Sequence, residues 1–249
     1  MIDLELNSST DLKREGKSFY WASFFLPKSS KKNAGILYSI CRYFDDIADK
    51  HSQDQSNYLK NSIEEIKNNK NNKVNVFLKK NNINNAILID LIDGLILDQK
   101  NIKIQNKEEL IKYSYHVAGT VGLMMSKIIG VKHKKASKSA IDLGIGMQLT
   151  NIARDVYEDS KIKRIYLPAE WIPNISLKNL TNLNESNSQK DEKILNAIHK
   201  VISLSEKFYK NGFAGLKYIP ISSRLGIFIA ANVYRGIGIK IMSNKKKYL

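Results

Sequence analysis

The sequence predicts an all-α chain, organised as a single domain over residues 1–249. Three observations carry this. Apolar residues recur at helical spacing along most of the chain. Only 4 Pro and 13 Gly interrupt 249 residues. No segment alternates apolar and polar residues as a half-buried strand does. At 43% hydrophobic residues the chain has enough apolar material for a packed core.

The elements follow in chain order. Residues 1–16 are polar, carry Asp3, Glu5, Asp11 and Glu15, and do not read as a signal peptide. Gly16-Lys17-Ser18-Phe19 places a basic residue and a hydroxyl at a helix start, where backbone N–H groups favour an anion. An ordinary N-cap is the competing reading. From Lys31 to Asp49, Ile36, Leu37, Ile40, Phe44 and Ile47 fall on one helical face. Residues 52–80 are rich in Asn and Lys and read as a solvated helix followed by a variable connection. Residues 83–99 form an apolar helix ending near Asp98. Residues 107–129 form another, opened by Glu108 and Glu109 at its positive end. Residues 136–157 continue the period through Ile141, Ile145, Leu149 and Ile152. A break follows at Arg164–Pro168, residues 173–191 read as loop, and 192–211 and 221–243 close the chain. The total is roughly eight helices. No stretch reads as the ~20 uncharged apolar residues of a membrane span.

The formal net charge is +16, which favours anionic partners: nucleic acid, an acidic membrane or phosphorylated substrates. Abundant Asn, Ile and Lys together also fit a biased codon usage, so many lysines need only be soluble surface. Lys245-Lys246-Lys247 is the run most suggestive of phosphate or membrane contact. One cysteine, Cys41, allows no internal disulfide and agrees with a reducing cytosol. It lies in an apolar run and reads as core.

Two carboxylate clusters carry the chemistry. In Arg42-Tyr43-Phe44-Asp45-Asp46-Ile47-Ala48-Asp49, Asp45 and Asp49 share a helical face, with Arg42 one turn earlier. In Gln148–Asp159, Asn151, Asp155 and Asp159 do the same, with Gln148 a turn back and Arg154 alongside. Like charges at this spacing repel, and apolar neighbours deny them free solvation. Something cationic must compensate, and an oxygen-only ligand set suits Mg²⁺ or Mn²⁺. A lone Asp-x-x-x-Asp is usually an exposed helix face. Two copies, each with an arginine inside an apolar helix, point to metal-bridged phosphate. Arg42, Arg154 and Arg164 supply guanidinium forks for outer phosphate oxygens.

Tyr113–Gly122 mixes aromatics with small residues, which lets helices approach closely or leaves a channel. Gly144-Ile145-Gly146 has no preceding strand and no third glycine, so it is no dinucleotide loop. No zinc spacing, Gly-x-Ser-x-Gly or P-loop occurs.

These stretches resemble the squalene/phytoene synthase family, most nearly its bacterial phytoene synthases. The resemblance rests on Lys17–Tyr20 with Leu26-Pro27, Leu37–Asp49, Asp93–Asp98, Val117–Gly122, Gln148–Asp159, Arg164–Pro168, Tyr218–Pro220, Arg224 and Ala230–Gly238. It covers nearly the whole chain in order. It implies the all-α isoprenoid synthase fold with a central cavity. It implies that Asp45, Asp49, Asn151, Asp155 and Asp159 line the metal–diphosphate sites, and that Asp45, Asp49, Asp155 and Asp159 are catalytic together with Tyr113 beside the reacting carbons. It implies that Ser18, Arg42, Gln148, Arg154, Arg164 and Tyr234 bind substrate diphosphate. The chain departs from the family at Glu15-Gly16, where relatives often carry His-Ser, and it has no obvious counterpart of a distal C-terminal arginine.

The implied activity is Mg²⁺-dependent head-to-head condensation of two geranylgeranyl diphosphates to phytoene through a cyclopropyl diphosphate, in carotenoid biosynthesis. Farnesyl diphosphate, giving squalene or dehydrosqualene, is the alternative; no signal for a nicotinamide (NADPH) site accompanies it. Other classes are a non-catalytic assembly factor of the same fold, a basic nucleic-acid-binding helical domain, for which no module is seen, and a cyclising terpene synthase. The expected location is cytoplasmic, with peripheral contact on the anionic inner membrane face.

Overall fold

The computed structural model describes residues 2, 13, 16–50, 52–99, 102–181 and 189–243. Glu15 and the Lys245–Lys247 run lie outside them. Among the described residues there are twelve α-helices: α1 Lys17–Ser23, α2 Lys28–Ala48, α3 Gln53–Lys67, α4 Lys73–Lys80, α5 Asn85–Asp98, α6 Lys107–Ser114, α7 Thr120–Ile128, α8 Lys135–Arg154, α9 Val156–Lys161, α10 Leu177–Thr181, α11 Gln189–Ala214 and α12 Ile221–Ser243. A π-helical turn, Tyr115–Gly119, joins α6 to α7. The isolated bridge between Lys103 and Ile165 is the β pairing seen among the described residues. The all-α fold class holds.

The Asn-rich stretch departs from expectation. Residues 52–80 form two helices, not a helix and a connection. Ser52 and Asn72 cap them by accepting the N–H of Gln55 at 3.2 Å and of Asn75 at 2.9 Å. Asn69 and Asn82 take positive φ values of 49° and 52°, a conformation asparagine tolerates, and so turn the chain after each helix. Leu59, Ile63 and Ile66 of α3 and Val74, Phe77 and Leu78 of α4 are buried. The polar residues are caps and outer faces; the sparse apolar ones suffice to dock both helices. Residues 173–191 likewise include the short α10.

The apolar core forms two clusters. One joins α2, α3, α4, α5 and α7 around Phe44, Ile40 and Leu88. The other joins α6, α8 and α11 around Leu110, Leu149 and Val201. Glycines set the closest contacts. A Cβ on Gly122 would stand 2.2 Å from the Ala140 carbonyl oxygen, and one on Gly144 2.2 Å from that of Ala118. Both readings of the small-residue stretch therefore apply: it packs tightly against α8, and Val117, Ala118, Val121 and Gly122 also line a cavity.

Among the described residues one helix, α12, is long and apolar enough to cross a membrane by length and composition alone. It carries Arg224, Arg235 and Lys240, so it is not the uncharged stretch that the sequence lacks. Glycines that break the apolar run on paper do not break the helix here, and its inner residues Ser223, Gly226, Ala230, Ala231, Gly238 and Ile241 are buried.

Candidate active site

A cavity of about 680 Å³ runs between the helices, lined from both core clusters. Its walls grade from charged to apolar along each helix. On α2 the lining runs from Asp49, Asp45 and Arg42 to Leu37 and Ala34; on α8 and its C-terminal extension it runs from Asp159, Asp155 and Asn151 through Leu143 to Ala136. The two acid sets thus share the polar end of one cavity.

Local chain geometry places them. α2 ends at Ala48, and Asp49 N–H still bonds the Asp45 carbonyl at 2.9 Å, so the pair stays one turn apart. The second set departs from the single helix read over 136–157. α8 stops at Arg154, Asp155 adopts φ −102° and ψ 16°, and α9 begins at Val156. The turn survives because Asp159 N–H bonds the Asp155 carbonyl at 2.8 Å. Lys163 then takes φ 62°, and Arg164 N–H closes back on the Asp159 carbonyl at 2.9 Å. A left-handed residue ending a helix in this way swings the next side chain across the axis. Ile165 pairs with residues 102–104 and pins the segment.

Three arginines hold the acids. Arg42 reaches Asp45 at 3.0 Å and Asp46 at 2.7 Å. Arg154 donates two bonds to Asp155, both at 2.6 Å. Arg164, nearly buried, donates to Asp49 at 2.9 Å and so ties the second motif to the first. Charge is still undercompensated. Burial, with the neighbouring Asp49 charge, pushes Asp45 up to about 6 against the pull of Arg42. Burial, with Asp155, pushes Asp159 up to about 7 against Arg164.

At the neck of the polar end lies Asp98, 5% exposed. It accepts the hydroxyls of Tyr113 and Tyr166, each at 2.8 Å. The two tyrosines also bond each other at 3.1 Å and stack with centroids 4.9 Å apart. Burial raises Asp98 while Arg164 opposes it, and burial holds Tyr113 well above its ordinary value. Tyr113 is thus a neutral hydroxyl anchored at the cavity wall. The sequence reading missed Asp98 and Tyr166 as site residues. Asp98 does end an apolar helix, and a carboxylate there is a signal that could have found it; Tyr166 sits inside the Arg164–Pro168 stretch with no charge to mark it.

The other expected residues fall as follows. Gln148, Asn151 and Tyr234 line the cavity. Tyr234 stacks on Phe19 of α1 at 5.1 Å. Arg154 is exposed, does not line the cavity, and acts on it through Asp155. Ser18 is half-buried in the first turn of α1 and is not a lining residue; Gly16 takes the N-cap position. Cys41 lines the wall, and burial, with Asp45 nearby, pushes its thiol up to about 12.

The squalene/phytoene synthase profile matches residues 12–249. The chain belongs to the squalene/phytoene synthase family. It is 32% identical to the 15-cis-phytoene synthase of Enterobacter agglomerans over 248 residues, covering 91% of this chain and 82% of that protein. It is 38% identical to the phytoene synthase of Pseudescherichia vulneris over 153 residues, 61% of this chain and about half (48%) of that one. A ligand-bound dehydrosqualene synthase crystal structure superposes with a TM-score of 0.82 at 26% identity, covering 95% of this chain and 84% of that one. The chain thus has the isoprenoid synthase fold of that solved structure.

Members of this family generally use a divalent metal. Among the described residues no three His, Cys, Asp or Glu side chains close into a ready-made metal cage. The donor chemistry nevertheless fits a magnesium-type ion, which keeps waters and takes few protein ligands beside substrate phosphate. The Asn151 Oδ1 atom is buried with no hydrogen-bond donor. Both raised carboxylates stand where added positive charge would restore their ordinary ionisation.

Proposed function

We propose that this chain is a prenyltransferase that couples two geranylgeranyl diphosphates head to head, giving phytoene for carotenoid biosynthesis. One observation carries the reading: acids from α2 and from α8–α9 line the polar end of a cavity whose remaining walls are largely apolar. That arrangement suits a charged head group and a long hydrocarbon tail. The names of the relatives in Enterobacter agglomerans and Pseudescherichia vulneris support the same activity.

Mg²⁺, or Mn²⁺, bound by Asp45, Asp49, Asn151, Asp155 and Asp159 would supply Lewis-acid stabilisation of the leaving diphosphate. Arg42 and Arg164, with Tyr234 and Gln148 across the cavity, orient the outer phosphate oxygens. Arg154 holds Asp155 in place. The C–O bond of one donor breaks, and the electron pair leaves with pyrophosphate. Val117, Val121 and Leu95 keep water from the allylic cation. The double bond of the second substrate attacks, one proton leaves, and a cyclopropyl diphosphate forms. A second loss of pyrophosphate, rearrangement and loss of a second proton give the linear hydrocarbon. Tyr113, held by Asp98, stands beside the reacting carbons.

The stretch of α8 that lines the cavity leaves room for the longer substrate. From Asn151 to Ala136, α8 spans about 22 Å at ~1.5 Å per residue. A main chain of about sixteen carbons extends ~19 Å, against ~14 Å for the farnesyl chain of about twelve, at bond lengths near 1.5 Å. Farnesyl diphosphate remains the second reading because the dehydrosqualene synthase structure overlays so closely. A catalytically dead assembly factor would be expected to lose the aspartates, and both sets are intact. Peripheral contact with an anionic membrane on the cytoplasmic side belongs to the same reading, since the product is a pure hydrocarbon.

The test is incubation with each diphosphate plus Mg²⁺, followed by mass analysis of the hydrocarbon. Geranylgeranyl diphosphate should give the C40 product. Asp45→Ala or Asp155→Ala should each lower kcat/KM by about a thousandfold or more. Near-normal turnover in either variant would remove the metal–diphosphate assignment.

A further inference from the structure

The outer side of the cavity wall carries a surface that the chemistry does not use. Trp21, Phe24 and Phe25, at the end of α1, are 68%, 51% and 46% exposed. Trp21 and Phe24 form an aromatic cluster with Tyr20: Phe24 lies 5.0 Å from Tyr20 and 5.8 Å from Trp21, centroid to centroid. The Lys31 ammonium sits 3.5 Å above the Phe24 ring. Lys28 and Lys32 are exposed on the first turn of α2 beside it. Next to α1, α12 exposes Ile221, Leu225 and Phe228 along one stripe, at i, i+4 and i+7. The two helices pack together: Phe19 stacks on Tyr234, and Gly226 approaches the Ala22 carbonyl so closely that a Cβ would stand 3.0 Å from it.

Charge is one-sided in the sequence around these two segments, although Arg42 pairs with Asp45 and Asp46, and Arg235 with Glu206. Residues 16–44 carry five Lys or Arg and no Asp or Glu; residues 207–243 carry six and none. The rest of the chain holds all 24 acidic residues, so this one-sidedness is local. Exposed Trp and Phe beside Lys28, Lys31 and Lys32 match the chemistry of an anionic bilayer interface.

We propose that the seam between α1 and α12 docks on an anionic lipid bilayer, with Trp21, Phe24 and Phe25 entering the interface and Lys28, Lys31 and Lys32 over the headgroups. This deepens the membrane reading given above and rests on it. The inner faces of the same segments line the cavity, through Phe19, Ala22 and Leu26 on one side and Gly226, Ile227 and Ala230 on the other. One layer of protein then separates the hydrocarbon from the acyl phase. α12 lies in the interface plane. Crossing the bilayer would strip Ser223, Gly226, Ala230 and Ala231 from the packing that buries them.

The test is flotation of the full chain with vesicles of phosphatidylcholine, alone or mixed with phosphatidylglycerol. The wild type should float with the mixed vesicles and stay behind with phosphatidylcholine alone. W21S/F24S/F25S should lose at least about tenfold in bound fraction, and K28E/K32E should lose binding as salt does. Both should keep wild-type turnover in detergent, which also reports folding. I221S/L225S probes the α12 side independently. Wild-type flotation by both multiple variants would overturn the proposal. So would a dimer that dissociates in W21S/F24S/F25S while vesicle capture is unchanged, which would assign the patch to a second copy. Vesicle capture without any prenyl diphosphate turnover would leave the docking surface standing and remove the enzymatic reading.

Discussion

Asp98 shows how a single side chain can govern a neighbour's chemistry. Its carboxylate accepts both tyrosine hydroxyls and feels Arg164, so it fixes where the Tyr113 oxygen stands. Asp98→Asn keeps the shape but replaces one acceptor oxygen with a donor. The expected result is a fall in kcat of about 10–100-fold with KM changed far less, read from steady-state kinetics. Thermal stability should fall by about 1–3 kcal/mol, because one buried tyrosine hydroxyl loses its acceptor. The raised acids make a second prediction. Asp45 at about 6 and Asp159 at about 7 stand above the ordinary 3.8. Folded protein therefore binds more protons than unfolded between these values. The stability this contributes is full below about pH 4 and is lost as pH rises through 6 to 7. Metal-free protein should melt at progressively lower temperature from pH 5 to pH 8, and Mg²⁺ with pyrophosphate should recover most of the difference at pH 8. A flat profile, or one that rises, would contradict the charge imbalance.

At the scale of elements, the α7–α8 contact is made by backbone against backbone. Gly122 and Gly144 meet carbonyl oxygens, which cannot yield as a flexible side-chain tip can. Gly122→Ala or Gly144→Ala should destabilise by about 1–3 kcal/mol, read from denaturant melts. Gly236→Ala, with nothing near its would-be Cβ, serves as the neutral control. The helices themselves were legible from period and caps; their interruptions were not. Neither the π turn at Tyr115–Gly119 nor the helix break at Asp155 has a proline to announce it. Both are imposed by neighbours: Tyr115 and His116 bond Asp90 and its carbonyl on α5, and Asp155 is gripped by Arg154. The second helix of the Asn-rich 52–80 stretch was missed for a related reason. Composition there reports the solvent face and the caps, while a handful of apolar residues decides the docking.

Over the whole molecule, depth governs substrate. Ala34 lies at the end of the α2 wall away from the acids, about 16 Å from Asp45 along the helix at ~1.5 Å per residue. Ala34→Phe should shorten the space for a tail. Turnover of geranylgeranyl diphosphate should fall by about 10–100-fold while farnesyl diphosphate is much less affected, as measured by product chain length. Equal loss on both would place the tail elsewhere. Two cores with a cavity between them also explain why the chain tolerates so many like charges near its centre: Arg42 and Arg164 share the polar end, Arg154 grips Asp155 from outside, and the rest of the cavity is largely apolar.

The residue pattern alone settled the helical class, the two acid motifs and their arginines, because helical period and one-turn spacing are local properties that survive without a partner. It could not settle which distant groups converge. Arg164 meets Asp49 across 115 positions, Tyr166 meets Asp98 across 68, and Ser18 stays away from the cavity despite its promising neighbours. Those outcomes depend on how whole helices stack, which the glycine contacts and buried faces decide together. Only in the packed molecule do the acids share one end of a cavity, and only there do α1 and α12 together show an apolar face to the outside.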